Sequence, residues 1–237
     1  MKKSLINILL SFSMMAATLG CDSSDRGPVS SGSSADLQEN SAARFSMMRE
    51  VLDVITTDSL TPVEAEALLF MREEEKLARD IYAAMEAKWN LRPFTNIKSS
   101  EETHMSALLY LIERYELKDP VGTNAPGQFV DAALQNLYND LLQKGNTSVN
   151  DALTVGAIIE EVDIVDLTVR SLASDNRDIN YVYEQLLLGS RNHLRAFVKN
   201  LKSRGVIYAP QYLSREEYDQ IIAGANENGN AARSNRR

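Results

Sequence analysis

The two histidines of the chain each lie in a helical pattern beside carboxylates. Glu101 and His104 are three residues apart, so their side chains project from the same face of a helix. His193 lies far downstream, on another segment with apolar residues at helical spacing. Carboxylates bridge and neutralise paired cations, and imidazole nitrogen is a softer terminal ligand that suits iron and other transition metals. These residue types therefore predict a metal site that several helices assemble inside a bundle.

Two acidic clusters supply further candidate ligands. In the upstream cluster of three consecutive glutamates, Glu74 and Glu75 lie on two competing apolar stripes, and the first glutamate is expected to be solvated. In the downstream cluster, Glu160 and Asp163 share a stripe, whereas Glu161 lies on the competing one. The predicted metal ligands are Glu75, Glu101, His104, Glu160, Asp163 and His193, with Glu74 and Glu161 as alternatives.

The stripes that carry the histidines are largely apolar, and Glu101 and His104 lie in the middle of an apolar face. Burying unpaired carboxylates on such a stripe is costly, so a compensating cation or protonation is expected there. The alternative is a metal-free core in which each histidine hydrogen-bonds a glutamate. Tyr82 and Tyr183 lie on ligand-bearing stripes and are candidates for hydrogen bonds to the ligands. Gly189 and Ser190 are small, which indicates either a close approach of helices or a substrate channel.

The elements that must position these groups are helical, because no strand pattern of any length occurs. Thr61, followed by Pro62 and by Glu64, is a start signal for a long helix that extends to about residue 90. Further helices are predicted at 95–116, 129–143, 148–173, 179–203 and from 214 onward. The helix at 129–143 lies in a long crossover between two helix hairpins. The expected fold is all-α, a ferritin-like four-helix bundle with a short helix in the crossover and short terminal helices.

The N-terminal residues have the pattern of an export signal. Lys2 and Lys3 precede a mostly apolar stretch, which is too short for a lasting membrane span. Cys21 follows directly, and this context resembles a bacterial lipobox. We therefore predict a lipoprotein signal peptide at 1–20 with lipidation at Cys21, and a bacterial envelope location, periplasmic or on the outer surface. The alternative is an ordinary secretory signal with an incidental cysteine.

Two further segments are predicted to lie outside the folded domain. Residues 21–44 are rich in Ser, Gly and Asp and predict a flexible tether, and 224–237 predicts a disordered tail. One domain, 45–223, remains. The formal net charge of −8 argues against a nucleic-acid partner and favours cations. The expected partners are therefore metal ions, a membrane through the lipid anchor, and a second copy of the chain in a homodimer.

The candidate ligand segments resemble those of known proteins. The run from Glu75 to Tyr82, Glu101-x-x-His104 and Glu160-x-x-Asp163 resemble the first three ligand helices of rubrerythrin-type ferritin-like proteins. More closely, residues 71–221 resemble an uncharacterised ferritin-like family, the domain of unknown function DUF2202. The segments that carry this resemblance are Glu74-Glu75-Lys76-Leu77-Ala78-Arg79-Asp80, Ser100-Glu101-x-x-His104-Met105, Gly189-Ser190-Arg191-Asn192-His193-Leu194 and Tyr208-Ala209-Pro210-Gln211-Tyr212.

The resemblance implies a dinuclear centre of iron, or of another transition metal such as manganese. It also implies an oxidase or peroxidase activity, or oxidation of ferrous iron. One departure is Ser190, which lies where the fourth helix of those families carries a glutamate. Asp163 or a second glutamate of the upstream cluster could substitute for that carboxylate. The competing hypothesis is a metal-free helical binding module displayed on the membrane as a lipoprotein.

Overall fold

The computed structural model describes residues 34–227, and these residues form seven helices and no strand. The helices are α1 (Ser34–Leu52), α2 (Pro62–Trp89), α3 (Arg92–Arg114), α4 (Ala132–Gly145), α5 (Val149–Leu172), α6 (Arg177–Ser203) and α7 (Arg215–Ala223). The most extensive packing joins α2 to α3 and α5 to α6, and α2 also packs on α5 and α3 on α6. These four long helices form a four-helix core. The predicted all-helical fold is confirmed.

The helix starts follow local sequence signals. Thr61 caps α2, with its Oγ1 accepting from the backbone N–H of Glu64 at 3.3 Å while the Glu64 carboxylate accepts from the backbone N–H of Thr61 at 2.9 Å. Ser214 and Glu217 make the same reciprocal pair at the start of α7. Ser148 caps α5. Such caps satisfy backbone donors that have no partner within the helix.

Helix α1 extends further towards the N-terminus than the composition predicts. Residues 34–44 belong to this helix, although they were expected to form part of a flexible tether. The helix packs on α3 with Met48 and Leu52 buried, and Ser41 Oγ donates to the backbone oxygen of Ser99 at 2.8 Å. These tertiary contacts stabilise the helical conformation of a segment whose composition alone does not favour a helix.

Several sequence predictions fall outside the described residues. These are the signal peptide at 1–20, the lipidation site Cys21, the first part of the tether, and the tail from residue 228 onward. Among the helices of residues 34–227, none is both long enough and apolar enough to cross a membrane.

The long connection between α3 and α4 is anchored to α2 by buried charges. Lys76 is fully buried, and its Nζ donates to Asp80 at 2.6 Å and to the backbone oxygens of Ala125 and Gln128 at 3.0 and 3.2 Å. Glu73 accepts from the backbone N–H groups at the start of α4. The expectation that Glu73 is solvated was wrong, because this connection covers its face of α2.

The residues after α7 also contact the core. Arg191 donates to both carboxylate oxygens of Glu227, at 2.8 and 2.6 Å, and Arg195 donates to the same carboxylate at 2.8 Å. Asn192 exchanges two hydrogen bonds of 2.9 Å with the backbone of Glu227. Residues 224–227, predicted to be part of a disordered tail, are therefore held against α6.

Candidate metal centre

Glu101 lies at the middle of a buried group of carboxylates and imidazoles. Its Oε2 is 2.7 Å from His104 Nδ1, and its Oε1 is 3.0 Å from His193 Nδ1. Glu75 Oε2 lies 3.1 Å from His104 Nδ1, and Glu160 Oε2 lies 3.3 Å from His193 Nδ1. The group thus contains two triads that share one carboxylate, and the ligand atoms within each triad lie within 4.8 Å of one another.

Each helix of the four-helix core contributes to these triads. Helix α2 supplies Glu75, α5 supplies Glu160 and α6 supplies His193. Helix α3 supplies both Glu101 and His104, because a spacing of three residues places both on the face that packs inward. The two imidazole rings are stacked, with 5.7 Å between their centroids. The structure therefore brings together five of the six predicted ligands in the two triads.

The residues present fit a metal centre because several buried ligand atoms lack hydrogen-bond partners. Glu75 Oε1, Glu101 Oε1 and His193 Nδ1 are buried without a hydrogen bond. The last two atoms are close enough for an ion pair, but their geometry is not that of a hydrogen bond. A buried polar atom without a partner is costly, and a cation between these lone pairs would remove the cost. The mixed nitrogen and oxygen donors suit iron or manganese.

Asp163, the sixth predicted ligand, lies beside the triads and is bonded to Ser190. The Ser190 hydroxyl donates to Asp163 Oδ2, while Asp163 Oδ1 is buried without a partner. Burial and the neighbouring charges of Glu75 and Glu160 raise the pKa of Asp163 well above its ordinary value. Ser190 therefore contacts a carboxylate of the neighbouring helix α5.

Gly189 allows the close approach of His104 to α6. A Cβ at this position would lie 2.6 Å from both Cε1 and Nε2 of the His104 ring. Contacts below about 3.0 Å do not occur between real Cβ atoms and their neighbours, so any side chain here would displace something. Of the two roles predicted for the small residues, the contact at Gly189 favours a close approach, here of the His104 ring to the backbone of α6.

Comparisons with known proteins place the chain in a family. The family described as an uncharacterized protein domain (DUF2202) matches residues 64–225. The chain belongs to this family. The uncharacterized protein MJ0754 of Methanocaldococcus jannaschii is 47% identical over 182 residues, which cover 77% of this chain and 98% of that protein. The crystal structure of hypothetical protein MJ0754 from Methanococcus jannaschii DSM 2661 matches with a TM-score of 0.72 and 48% identity, covering 73% of this chain and 99% of that one.

The two tyrosines of this DUF2202 protein differ in their contacts. The Tyr82 hydroxyl donates to Glu160 Oε1, and its ring packs against Phe94 and Phe197. Tyr183 is fully buried, but its hydroxyl has no hydrogen-bond partner. Tyr82 therefore contacts a predicted ligand, whereas Tyr183 does not hydrogen-bond one.

The two alternative ligands lie outside the triads. Glu161 accepts from the Tyr208 hydroxyl at 2.5 Å and from the backbone N–H groups of residues 211–213. These donors use both of its oxygens to hold the segment before α7. Glu74 is buried, and its carboxyl group is paired with that of Asp166 on α5. Asp166, for which no role was predicted, is also buried, and its spacing of three residues from Asp163 was the available signal.

The buried charges shift one another's proton affinities. Burial raises the pKa of Glu75 to about 8, although His104 opposes this. Burial disfavours the charged forms of both histidines, but the facing carboxylates outweigh it, raising the pKa of His193 to about 9 and that of His104 well above its ordinary value. Burial also disfavours ionised Glu101, yet the two imidazoles hold its pKa below the ordinary range. Without a metal, protons compensate the negative charge of the centre.

We expect the metal-free protein to become less stable as the pH rises from about 5 to about 9. Glu75 titrates near 8 in the fold and has an ordinary pKa of 4.5, and His193 titrates near 9 against an ordinary 6.5. A group with a raised pKa stabilises the fold below its ordinary pKa, and the contribution is lost as the pH rises through the folded value. Chemical denaturation of chelator-treated protein across this range measures the effect.

A metal-loaded sample is the control for this pH series. Cations replace the protons, so the stability gained from metal should grow with pH. Metal-free protein that becomes more stable between about pH 5 and about pH 9 would contradict this account of the buried charges.

Proposed function

We propose that this DUF2202 protein is a ferritin-like protein that binds a dinuclear metal centre, with iron as the native metal and manganese as the alternative. The observation that carries the proposal is the position of Glu101 between two histidine-containing triads. A carboxylate with one oxygen directed to each triad is suited to bridge two cations. The arrangement of one ligand-bearing face on each of four helices is the one that ferritin-like bundles use for such centres.

The ligands divide between the two metal positions. Glu75 and His104 would hold one ion, Glu160 and His193 would hold the other, and Glu101 would bridge them. A dinuclear iron centre supplies redox chemistry at two adjacent ions, which is suited to reducing dioxygen or peroxide or to oxidising ferrous iron. We propose an oxidoreductase activity of this kind.

The chain's own residues would orient the ligands and exclude bulk water. Glu101 and Glu160 are each 2% exposed, and His193 is 8% exposed, so the ligand atoms lie away from solvent. The Tyr82 hydroxyl fixes the orientation of Glu160 through its hydrogen bond. Burial and the charge of Glu160 raise the pKa of Tyr82 well above its ordinary value, so it keeps the proton that it donates. Outer hydrogen bonds of this type tune metal affinity.

A metal-free binding module is the second candidate. It is favoured by the ion pairs that the imidazoles make with Glu75, Glu101 and Glu160 without any cation. In that case the buried polar groups would satisfy one another, with protons balancing the charge.

Metal analysis separates the two candidates. Protein purified without chelator should contain metal, and anaerobic titration with Fe(II) should saturate at two ions per chain and give ferric absorption after exposure to air. Fewer than one bound ion per two chains, with no ferric absorption, would support the module. In that case, added iron should also leave the stability of His104→Ala unaffected.

The hydroxyl of Ser190 provides a finer test of the centre. Ser190→Ala removes the donor to Asp163, the carboxylate beside the triads, and should weaken metal binding by about 10–100-fold, the typical cost of losing an outer hydrogen bond at a metal site. Isothermal titration with Mn(II) measures this effect. The matched control is Ser203→Ala on the same helix, where the hydroxyl is exposed and bonds only the backbone oxygen of Asn200. Equal Mn(II) affinities for the two variants would show that Asp163 takes no part in metal binding.

We also propose that the protein is anchored in the cell envelope by lipid on Cys21. The support is the sequence pattern of the first 21 residues. Expression with radiolabelled palmitate should label the wild-type protein and not Cys21→Ser, and the variant should leave the membrane fraction. Unlabelled wild-type protein would contradict the anchor without affecting the metal proposal.

A further inference from the structure

Glu161, which follows the predicted ligand Glu160 on α5, is fully buried and hydrogen-bonded through both carboxylate oxygens. Its Oε1 accepts from the Tyr208 hydroxyl at 2.5 Å, and its Oε2 accepts from the backbone N–H groups of residues 211–213 at 2.9, 2.7 and 2.9 Å. These four donors belong to a single segment, residues 206–213, which connects α6 to α7. Charge-assisted bonds from several donors hold a carboxylate in one orientation.

The 206–213 segment is itself fixed to the core. Tyr208 and Leu213 are buried in the larger apolar cluster, and the Tyr208 ring packs 6.0 Å from that of Tyr218 on α7. Pro210, directly before the three N–H donors, has a φ angle that is fixed by its ring. Apolar burial and a restricted backbone make the segment a firm support for the Glu161 carboxylate.

The backbone of α5 links this support to the metal centre. Adjacent residues of an α-helix point about 100° apart, so the same turn directs Glu161 to the 206–213 segment and Glu160 to the triads. Glu160 Oε2 lies 3.3 Å from His193 Nδ1, and its Oε1 accepts from the Tyr82 hydroxyl. A rotation of α5 that moved Glu161 away from its donors would turn Glu160 by the same angle relative to His193.

The packing of α5 on α6 sets a distance at this level of the bundle. Gly156, about one turn before Glu160, lies against Phe197 of α6, and a Cβ at this glycine would lie 2.4 Å from the Phe197 ring. This contact limits how closely the two helices approach. The hydrogen bonds of Glu161 add a direction, because hydrogen bonds weaken steeply when they are bent.

We propose that Glu161 is a positioning residue, which fixes Glu160 against His193 through the backbone of α5 and thereby tunes the metal position that these two residues hold. The effect on metal rests on the proposed function, whereas the placement of Glu160 beside His193 does not. The competing account is that Glu161 only anchors the 206–213 segment and stabilises the fold as a whole.

Tyr208→Phe tests the proposal, because it removes one donor to Glu161 and keeps the buried ring. In a His104→Ala background, the ion held by Glu160 and His193 remains. Its Mn²⁺ affinity should fall by about tenfold, the lower end of the usual cost of removing an outer hydrogen bond. In a His193→Ala background the other ion remains, and its affinity should not change. Isothermal titration of the full-length chain with Mn²⁺ measures both affinities.

Tyr218→Phe is the matched control for this pair of measurements. Its buried hydroxyl donates to the backbone oxygen of Tyr208 at 3.5 Å, so both backgrounds should bind Mn²⁺ as they do without it. Equal weakening by Tyr208→Phe in the two backgrounds would reveal a general effect on the fold and overturn the positioning role. Unchanged affinity in the His104→Ala background would overturn it as well.

Glu161→Gln makes a larger change at the same place. The amide replaces one accepting oxygen with an NH₂ group, which faces donors and cannot accept from them. This variant should weaken the ion held by Glu160 and His193 more than Tyr208→Phe does, and a smaller effect would overturn the role of Glu161. If the variant does not fold, the comparison of Tyr208→Phe with Tyr218→Phe decides by itself.

Metal-free protein separates this inference from the proposed function. Glu160 lies beside His193, whereas Glu75 lies beside His104. Tyr208→Phe should therefore shift the NMR signals of the His193 ring more than those of the His104 ring. If the wild type binds no Mn²⁺, the dinuclear centre is contradicted, and the selective shift still supports the positioning of Glu160. Equal shifts of the two rings, or no shift, would overturn it.

Discussion

Glu101→Gln is expected to remove both metal ions from the centre at once. Glu101 is the only residue that belongs to both triads, so every other single ligand substitution leaves one triad intact. An amide has one oxygen acceptor, and its NH₂ group is a donor that repels a cation. The loss of affinity should exceed the roughly 10–100-fold that removal of an outer hydrogen bond costs. Titration with Fe(II) under anaerobic conditions measures it.

The metal-free state offers a second readout for the same variant. The charge of Glu101 is the largest cause that raises the pKa of His104 and of His193. Both histidine pKa values should therefore fall in Glu101→Gln, which NMR titration of the two imidazoles reports. Glu102→Gln is the matched control, since it makes the same change at the next position of α3, on a partly exposed side chain. Retention of two ions by Glu101→Gln would refute the bridging role.

The parts of the centre that sequence analysis predicted are those that local spacing determines. Glu101 and His104 lie on one face because a helix returns to that face after three residues. The capping boxes at Thr61 and Ser214 are also local, since both partners lie within one turn. His193 could be assigned because its stripe on α6 is largely apolar, with Leu187 and Phe197 on it. These rules need no knowledge of what packs against the helix.

The upstream acidic cluster shows where local rules fail. Glu73, Glu74 and Glu75 are all buried, although a helix in contact with solvent would expose one of them. Each faces a different neighbour: backbone N–H groups at the start of α4, Asp166 on α5, and His104 on α3. Periodicity gives the direction of a side chain but not the element that covers it. The long connection before α4 covers the face that was expected to be solvated.

The downstream cluster was ambiguous for the same reason. Glu160 and Glu161 are adjacent and both buried. Glu160 faces His193, whereas Glu161 accepts hydrogen bonds from the backbone of the segment before α7. That segment is about 50 residues away in the sequence, so no local pattern relates it to Glu161. The burial of Asp166 was not predicted, because a single acidic residue near the end of a helix is usually solvated. Its burial depends on the packing of α5 against α2.

Gly189→Ala is expected to weaken binding of the ion held by Glu75 and His104 more strongly than binding of the other ion. The added methyl group would lie 2.6 Å from the His104 ring, and 3.6 Å from that of His193, which is an ordinary contact. The His104 ring is held on its other edge by Glu75 and Glu101 at 3.1 and 2.7 Å from Nδ1. The ring must therefore tilt away from its ligand position. Small displacements of a ligand strongly reduce metal affinity.

The same substitution separates a metal-site effect from a loss of stability. Alanine favours helix over glycine by about 1 kcal/mol, which offsets part of the strain in α6. Thermal unfolding of metal-free protein should therefore change less than Mn²⁺ affinity does, and the stoichiometry should fall from two ions towards one. The matched control is Gly145→Ala, whose methyl group would meet the flexible thioether of Met85 at 2.7 Å, away from the ligands. If Gly189→Ala bound both ions as tightly as Gly145→Ala does, His104 could not be a ligand in the orientation described.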